Sequence, residues 1–333
     1  MFIKIFKSNE PALPIGIVIV CLLLWLPAFL GMTHTLSVPS LSMPFYQLLV
    51  FWLHDWPYQL QALLAFVLVA AQALYLNYMV NSKEVLHKKS FLPALFYVIC
   101  MSFFPGFLTI NPVLLSAGFL LLAFAQLLGL YKSNSPLHTA FNAGFFLGIA
   151  ALFYLPPILD FFLLWFALFL LLPFSWRGFV VGLIGLFIPF FFTAISYLWT
   201  DQLPLLMNDL LLGGVSAPLQ LNFVFTHSNW FGVVCLCIIL LLSLRTLQIH
   251  FYKNVIRTRS FQQLVLVFFF MTIAGVFISG KMDVFHLSLF AFPLSIIFSY
   301  YILVIKKKWW AETIFWLFIA SIVFNFVFPS LGF

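Results

Sequence analysis

Long stretches without a charged residue recur along this chain, from 15–31 near its start to 286–305 near its end, and the segments between them hold nearly all the Lys and Arg. About 20 apolar residues in a helix match the hydrocarbon thickness of a bilayer, and only helices or closed barrels satisfy every backbone polar group there. The fold class expected is therefore all-α, a polytopic integral membrane protein. Composition closes the alternative: 65% of the 333 residues are hydrophobic and 7% charged, whereas a soluble domain carries about a quarter charged residues to cover its surface. A chain of this length holds at most about a dozen spans.

Several function classes drop out at once. Cys21, Cys100, Cys235 and Cys237 lie inside apolar runs, with no Cys/His spacing of a zinc site, so neither a disulfide framework nor a metal is expected. The net charge of +7 is scattered between apolar runs rather than gathered on one face, which argues against nucleic acid. Phosphate-binding glycine loops, dinucleotide fingerprints, Gly-x-Ser-x-Gly and His-Glu-x-x-His are all absent, and no cofactor is implied. No Asp, Glu, Lys or Arg falls in the middle of a span, which argues against a proton-coupled carrier.

Eleven spans are expected, at 15–31, 59–80, 91–104, 110–131, 140–155, 158–173, 179–199, 229–247, 262–279, 286–305 and 309–328. The 91–104 and 140–155 runs are short, stopping at Pro105 and at Pro156-Pro157. Lys4 and Lys7 precede the first span without a small-residue cleavage pattern, so it reads as retained. With the N-terminus inside, 14 of the 15 Lys and Arg residues fall on the inner side, leaving Lys281 alone outside. Asp55, Asp160, Asp201, Asp209 and Asp283 then lie outside. The longest outer connections, 32–58 and 200–228, each hold a short apolar piece, 44–54 and 203–212, suited to the membrane interface. One integral domain covers 1–333: a module over 1–200 with the first outer loop at 32–58, then an outer loop and four C-terminal spans over 201–333.

Chemistry, where the sequence offers any, sits on the outer side. His54-Asp55-Trp56-Pro57 closes the first outer loop. Its plain reading is a helix cap beside an aromatic belt; its sharper reading makes Asp55 a general base whose aromatic neighbours limit water access. In Lys281-Met-Asp283-Val-Phe-His286, either Lys281 pairs with Asp283, or Lys281 and His286 hold a lipid-linked phosphate. Asp160 complements the first turn of its helix. Asp201 and Asp209 flank the second loop and either line a sugar site or are solvated. Gly144-x-x-x-Gly148, with Gly182 and Gly185, permits close helix approach.

Asn142-Ala-Gly144-Phe-Phe-Leu-Gly148, Pro156-Pro157, Ser175-Trp-Arg177-Gly178 through Gly185 and Pro189, with the late Lys281, His286 and Pro293, resembles polytopic membrane glycosyltransferases of the C superfamily. The span layout is similar as well. The resemblance implies transfer of a sugar from a polyprenyl-phosphate carrier on the outer face of a bacterial cytoplasmic membrane. Asp55 is then the catalytic base, and Lys281, His286, Asp209 and His54 contact the substrate. One departure is clear: the superfamily places an acidic residue soon after the first span, and 31–42 has none. A looser similarity to Phe-rich proteins of the bacterial inner membrane carries no function. The alternatives left open are a non-enzymatic subunit or assembly factor packing against other membrane proteins, and a lipid carrier or flippase.

The cation partition makes the topology testable. Reporter fusions after Lys89, Asp209, Arg257 and Phe333 should read inside, outside, inside and outside; a reversed reading at either middle site overturns the map.

Overall fold

The computed structural model describes residues 2–31, 43–204, 206, 227–278, 284–305 and 307–327. Among them the regular structure is helical: α1 (Phe2–Phe6), α2 (Leu13–Phe29), α3 (Pro44–Leu53), α4 (Tyr58–Ser82), α5 (Leu92–Met101), α6 (Pro112–Gly129), α7 (Pro136–Phe153), α8 (Asp160–Leu171), α9 (Trp176–Trp199), α10 (His227–His250), α11 (Ile256–Ile278), α12 (Ala291–Val304) and α13 (Lys308–Val327). Seven helical segments are long and apolar enough to cross a membrane: Tyr58–Ser82, Pro112–Gly129, Pro136–Phe153, Trp176–Trp199, Gly232–Lys253, Val284–Val304 and Trp309–Phe326. Shorter apolar helices are Leu13–Phe29, Pro44–Leu53, Leu92–Met101 and Pro156–Leu171. The short run expected at 140–155 is a correction: Pro136 starts α7 four residues earlier, because a proline at the first helical position loses no hydrogen bond, and α7 reaches 18 residues.

Helix ends meet in two groups. At one end, the carboxylate of Glu312 on α13 accepts the backbone N–H groups of Phe2 and Ile3 at 3.2 and 3.0 Å, and Arg257 pairs with Glu84 at 3.0 Å. There too, Asn254 donates to the Tyr300 hydroxyl at 3.1 Å. At the other end, Tyr46 donates to the Ile110 carbonyl at 3.1 Å, Asn325 to that of Phe103 at 3.0 Å, and Ser116 to that of Ala150 at 2.9 Å.

α5 is the innermost element. All ten of its residues are buried, and helices α2, α4 and α12 pack around it. The aromatics Phe96, Phe298 and Phe318 meet there edge-on or tilted, with centroids 5.5–6.2 Å apart, favourable ring geometry. Outward, α9 exposes Phe187, Phe191 and Phe192, suited to hydrocarbon and costly in water.

α7 and α9 make the closest helix pair. A Cβ at Gly144 would lie 2.1 Å from the Gly182 carbonyl oxygen, one at Gly185 2.3 Å from that of Phe141, and one at Gly148 2.5 Å from that of Leu186. Only hydrogen fits, as the glycine spacing anticipates. Gly144→Ala and Gly185→Ala should each cost about 1–3 kcal/mol through overpacking. Gly16→Ala, whose nearest new neighbour is 3.7 Å away, should be neutral or gain up to about 1 kcal/mol by helix propensity. Thermal unfolding in detergent separates the two classes.

Candidate functional site

Three interruptions converge at the end where α5 stops and α6 starts. After Met101 the chain turns through Pro105–Phe107, a single 3-10 turn, and α6 begins behind Asn111, whose side chain accepts the Leu114 N–H at 2.7 Å, satisfying a donor no helical carbonyl can reach. α7 ends at Phe153 because Pro156 and Pro157 cannot supply helical N–H groups. The third interruption is the 3-10 segment Val284–Phe290 leading into α12. It packs against Pro105–Phe107 and the start of α6.

In this segment three residues make one turn, so Leu287 and Phe290 share a face and His286 points elsewhere. The faces have different chemistry. His286 is 5% exposed and its Nδ1 shares a hydrogen bond with the hydroxyl of equally buried Tyr154. The ring lies between Tyr154 and Phe285, at centroid distances of 5.1 and 4.8 Å. On the other face, Leu287 and Phe290 line a cavity of about 260 Å³ completed by Phe103, Phe104, Leu236 and Phe269. Among the described residues no charged group lines it. An apolar void of about 150 Å³ already stays dry and holds a benzene-sized guest, so this one suits a stretch of hydrocarbon chain.

Of the expected site residues, His286 lies here, whereas His54 and Asp55 do not line the cavity. His54 and Asp55 contact each other at 3.1 Å, with side chains 77% and 94% exposed, so the aromatic neighbours do not withhold water from the Asp55 carboxylate. The reason is the way α3 is anchored. Its first turn meets the break, with Phe45 on Phe153 at 5.5 Å and Tyr46 on Ile110, while the opposite end carries Asp55 into the turn before α4. Gln61 holds that turn by donating to the carbonyls of Leu53 and Trp56, both at 3.0 Å. Lys281, Asp283 and Asp209 lie outside the described residues.

Asp160 does open α8, as the sequence suggests, but it is 5% exposed, and its Oδ1 has no hydrogen-bond partner among the described residues. Tyr154 went unread; its one sequence signal is a hydroxyl at the end of a span, immediately before Leu155-Pro156-Pro157. Among the described residues no three His, Cys, Asp or Glu side chains converge as a metal site would need.

A family model matches residues 36–332, nearly the whole chain, and the chain belongs to that family, DUF6427, a family of unknown function. No curated protein and no solved structure matches the chain.

The contrast between Tyr154 and Asp55 is measurable. Tyr154→Phe should lower stability by about 1 kcal/mol, the net worth of a buried hydrogen bond. Asp55→Asn should stay within about 0.5 kcal/mol of the parent, as exposed substitutions do. Equal melting temperatures for the two variants would refute the assignment of a structural polar pair.

Proposed function

We propose that this DUF6427 protein is a multi-pass membrane protein that seats the hydrocarbon chain of a lipid-linked phosphate, of the polyprenyl class, in the cavity beside the Val284–Phe290 segment. The cavity itself carries the reading: a lining of aliphatic and Phe side chains, with no charged group among the described residues, offers dispersion contacts to a methyl-branched, unsaturated chain and no partner to a polar one. Its position at the broken helix ends supports a head group held at the membrane surface.

On this reading α2 and α4 to α13 make eleven crossings of a bacterial cytoplasmic membrane, with the N-terminus inside and the C-terminus outside. Two features support it: the 14-to-1 cation partition and the alternation of contacts between two ends along the chain. α3, at ten residues and with Phe51 and Trp52 exposed, lies in the outer interface.

Binding has firmer support than sugar transfer. A transferase needs a base close to the acceptor, and Asp55 is solvated and lines no part of the cavity. His286 is engaged with Tyr154. Glycosyl transfer therefore rests on the C-superfamily resemblance alone, with Lys281 as the remaining phosphate ligand.

Filling the cavity tests the reading. The full-length protein in nanodiscs should photolabel with a diazirine-bearing polyprenyl phosphate. Leu236→Trp and Ala291→Trp, both at the cavity wall, should reduce labelling about tenfold or more if either side chain displaces the chain. Undiminished labelling in both, with an unchanged melting temperature, rejects the proposal.

A further inference from the structure

A second feature lies at the opposite end of the molecule, where Lys83, Lys88, Lys89 and Lys132 gather near the ends of α4 and α6. On α4, residues 68, 71, 75, 78 and 82 form one helical stripe, and on α6 residues 115, 118, 122, 126 and 129 form another. The two stripes face a groove made of two hollows that meet at Tyr75. Its apolar part, about 270 Å³, runs over Leu68, Ala71, Leu115 and Leu122. Its polar part, about 450 Å³, holds Tyr78, Lys83, Gln126 and Thr139. Tyr75 lines both.

Lys83 is the informative group. It is half-buried, and no carboxylate pairs with it among the described residues, because the adjacent Glu84 is turned away to Arg257. That turn is explicit in the backbone: Glu84 adopts φ of +57°, a left-handed conformation that ends α4 and sends successive side chains in different directions. The ammonium lies beside Gly129, where a Cβ would be in ordinary contact with Nζ at 3.8 Å. The polar atoms of Gln72, by contrast, are already used: its amide donates to Leu114 at 2.8 Å and accepts from Tyr97 at 2.7 Å. The groove therefore presents one unneutralised cation at its polar end, and hydrocarbon-compatible side chains beyond it. The first turn of α7, which carries Thr139 and has no side-chain cap, adds the positive end of a helix dipole.

We propose that the α4–α6 groove binds one anionic phospholipid, its phosphate at Lys83 with donors from Gln126 and Tyr75, and an acyl chain along Ala71 and Leu122. Charge complementarity selects the occupant: a zwitterionic lipid returns a cation to the pocket, and a free phosphate leaves the apolar stripe unused. On the cation-derived topology this is the inner leaflet. The proposal is independent of the polyprenyl reading, because no residue is shared with the outer cavity.

The test uses the full-length protein in nanodiscs with fluorescent phosphatidylglycerol or phosphatidylcholine as probe. The parent should hold phosphatidylglycerol in preference. Lys83→Gln should lose about tenfold in that affinity, the worth of a charge-assisted hydrogen bond. Lys83→Arg should keep most of it, and Ala71→Trp, at an exposed groove position, should lose it through the tail. Melting temperatures and polyprenyl-phosphate photolabelling should not change. Three results would overturn the proposal: no preference in the parent, no loss in Lys83→Gln, in which case the lysine only complements the ends of α4 and α6, or displacement by inorganic phosphate with Ala71→Trp unaffected, which marks an anion site without a lipid.

Discussion

Hydrocarbon offers no hydrogen bonds, so each place where a helix stops inside it must satisfy its freed backbone groups from within the protein. This chain has few polar side chains in its apolar segments and commits several of them to backbone groups, at helix breaks and between helices. Tyr46, Gln61, Gln72, Ser116 and Asn325 all donate to backbone carbonyls, and Asn111 accepts a helix-start N–H. These contacts join α3 to the start of α6, α4 to α6, α6 to α7, and α13 to the end of α5. The polar network therefore sets which helix ends can be broken and where the breaks meet.

Two packing devices hold the rest. The α7–α9 pair rests on glycine, because backbones within contact distance gain dispersion energy along their whole length. The α5 surroundings rest on aromatic rings, which fill the space around a ten-residue helix too short to cross unaided. Because α5 is short, its C-terminal end leaves a gap that neighbouring helices do not close. The apolar cavity lies in that gap, so it is a consequence of the helix break.

The two proposed lipid sites differ for the same reason. At the end where α5 stops, several polar groups close the breaks, and the pocket left has no charged group among the described residues. At the opposite end, α4 and α6 run on to their natural ends and no carboxylate among the described residues pairs with Lys83. The proposed tail-binding and head-group-binding sites would thus differ because of where the helices stop.

The sequence by itself determined the helical class, the close α7–α9 approach through Gly144, Gly148, Gly182 and Gly185, the first-turn place of Asp160 and the shortness of α5. Each of these depends on local composition or spacing, which a linear pattern preserves. What only the tertiary structure decided is which side chains share a space. Asp55 read as a general base shielded by aromatic neighbours, with His54 as a substrate contact, but both side chains are exposed, because α3 docks by its first turn. His286 read as a phosphate ligand, and the structure adds a bond from its Nδ1 to Tyr154, 132 positions away in sequence. Neither the apolar cavity nor the Lys83 groove has a motif, since the first is made of apolar residues common to every span and the second adds polar residues scattered over three helix ends. Their function-bearing property is the space between helices, which depends on crossing and break positions that no single segment records.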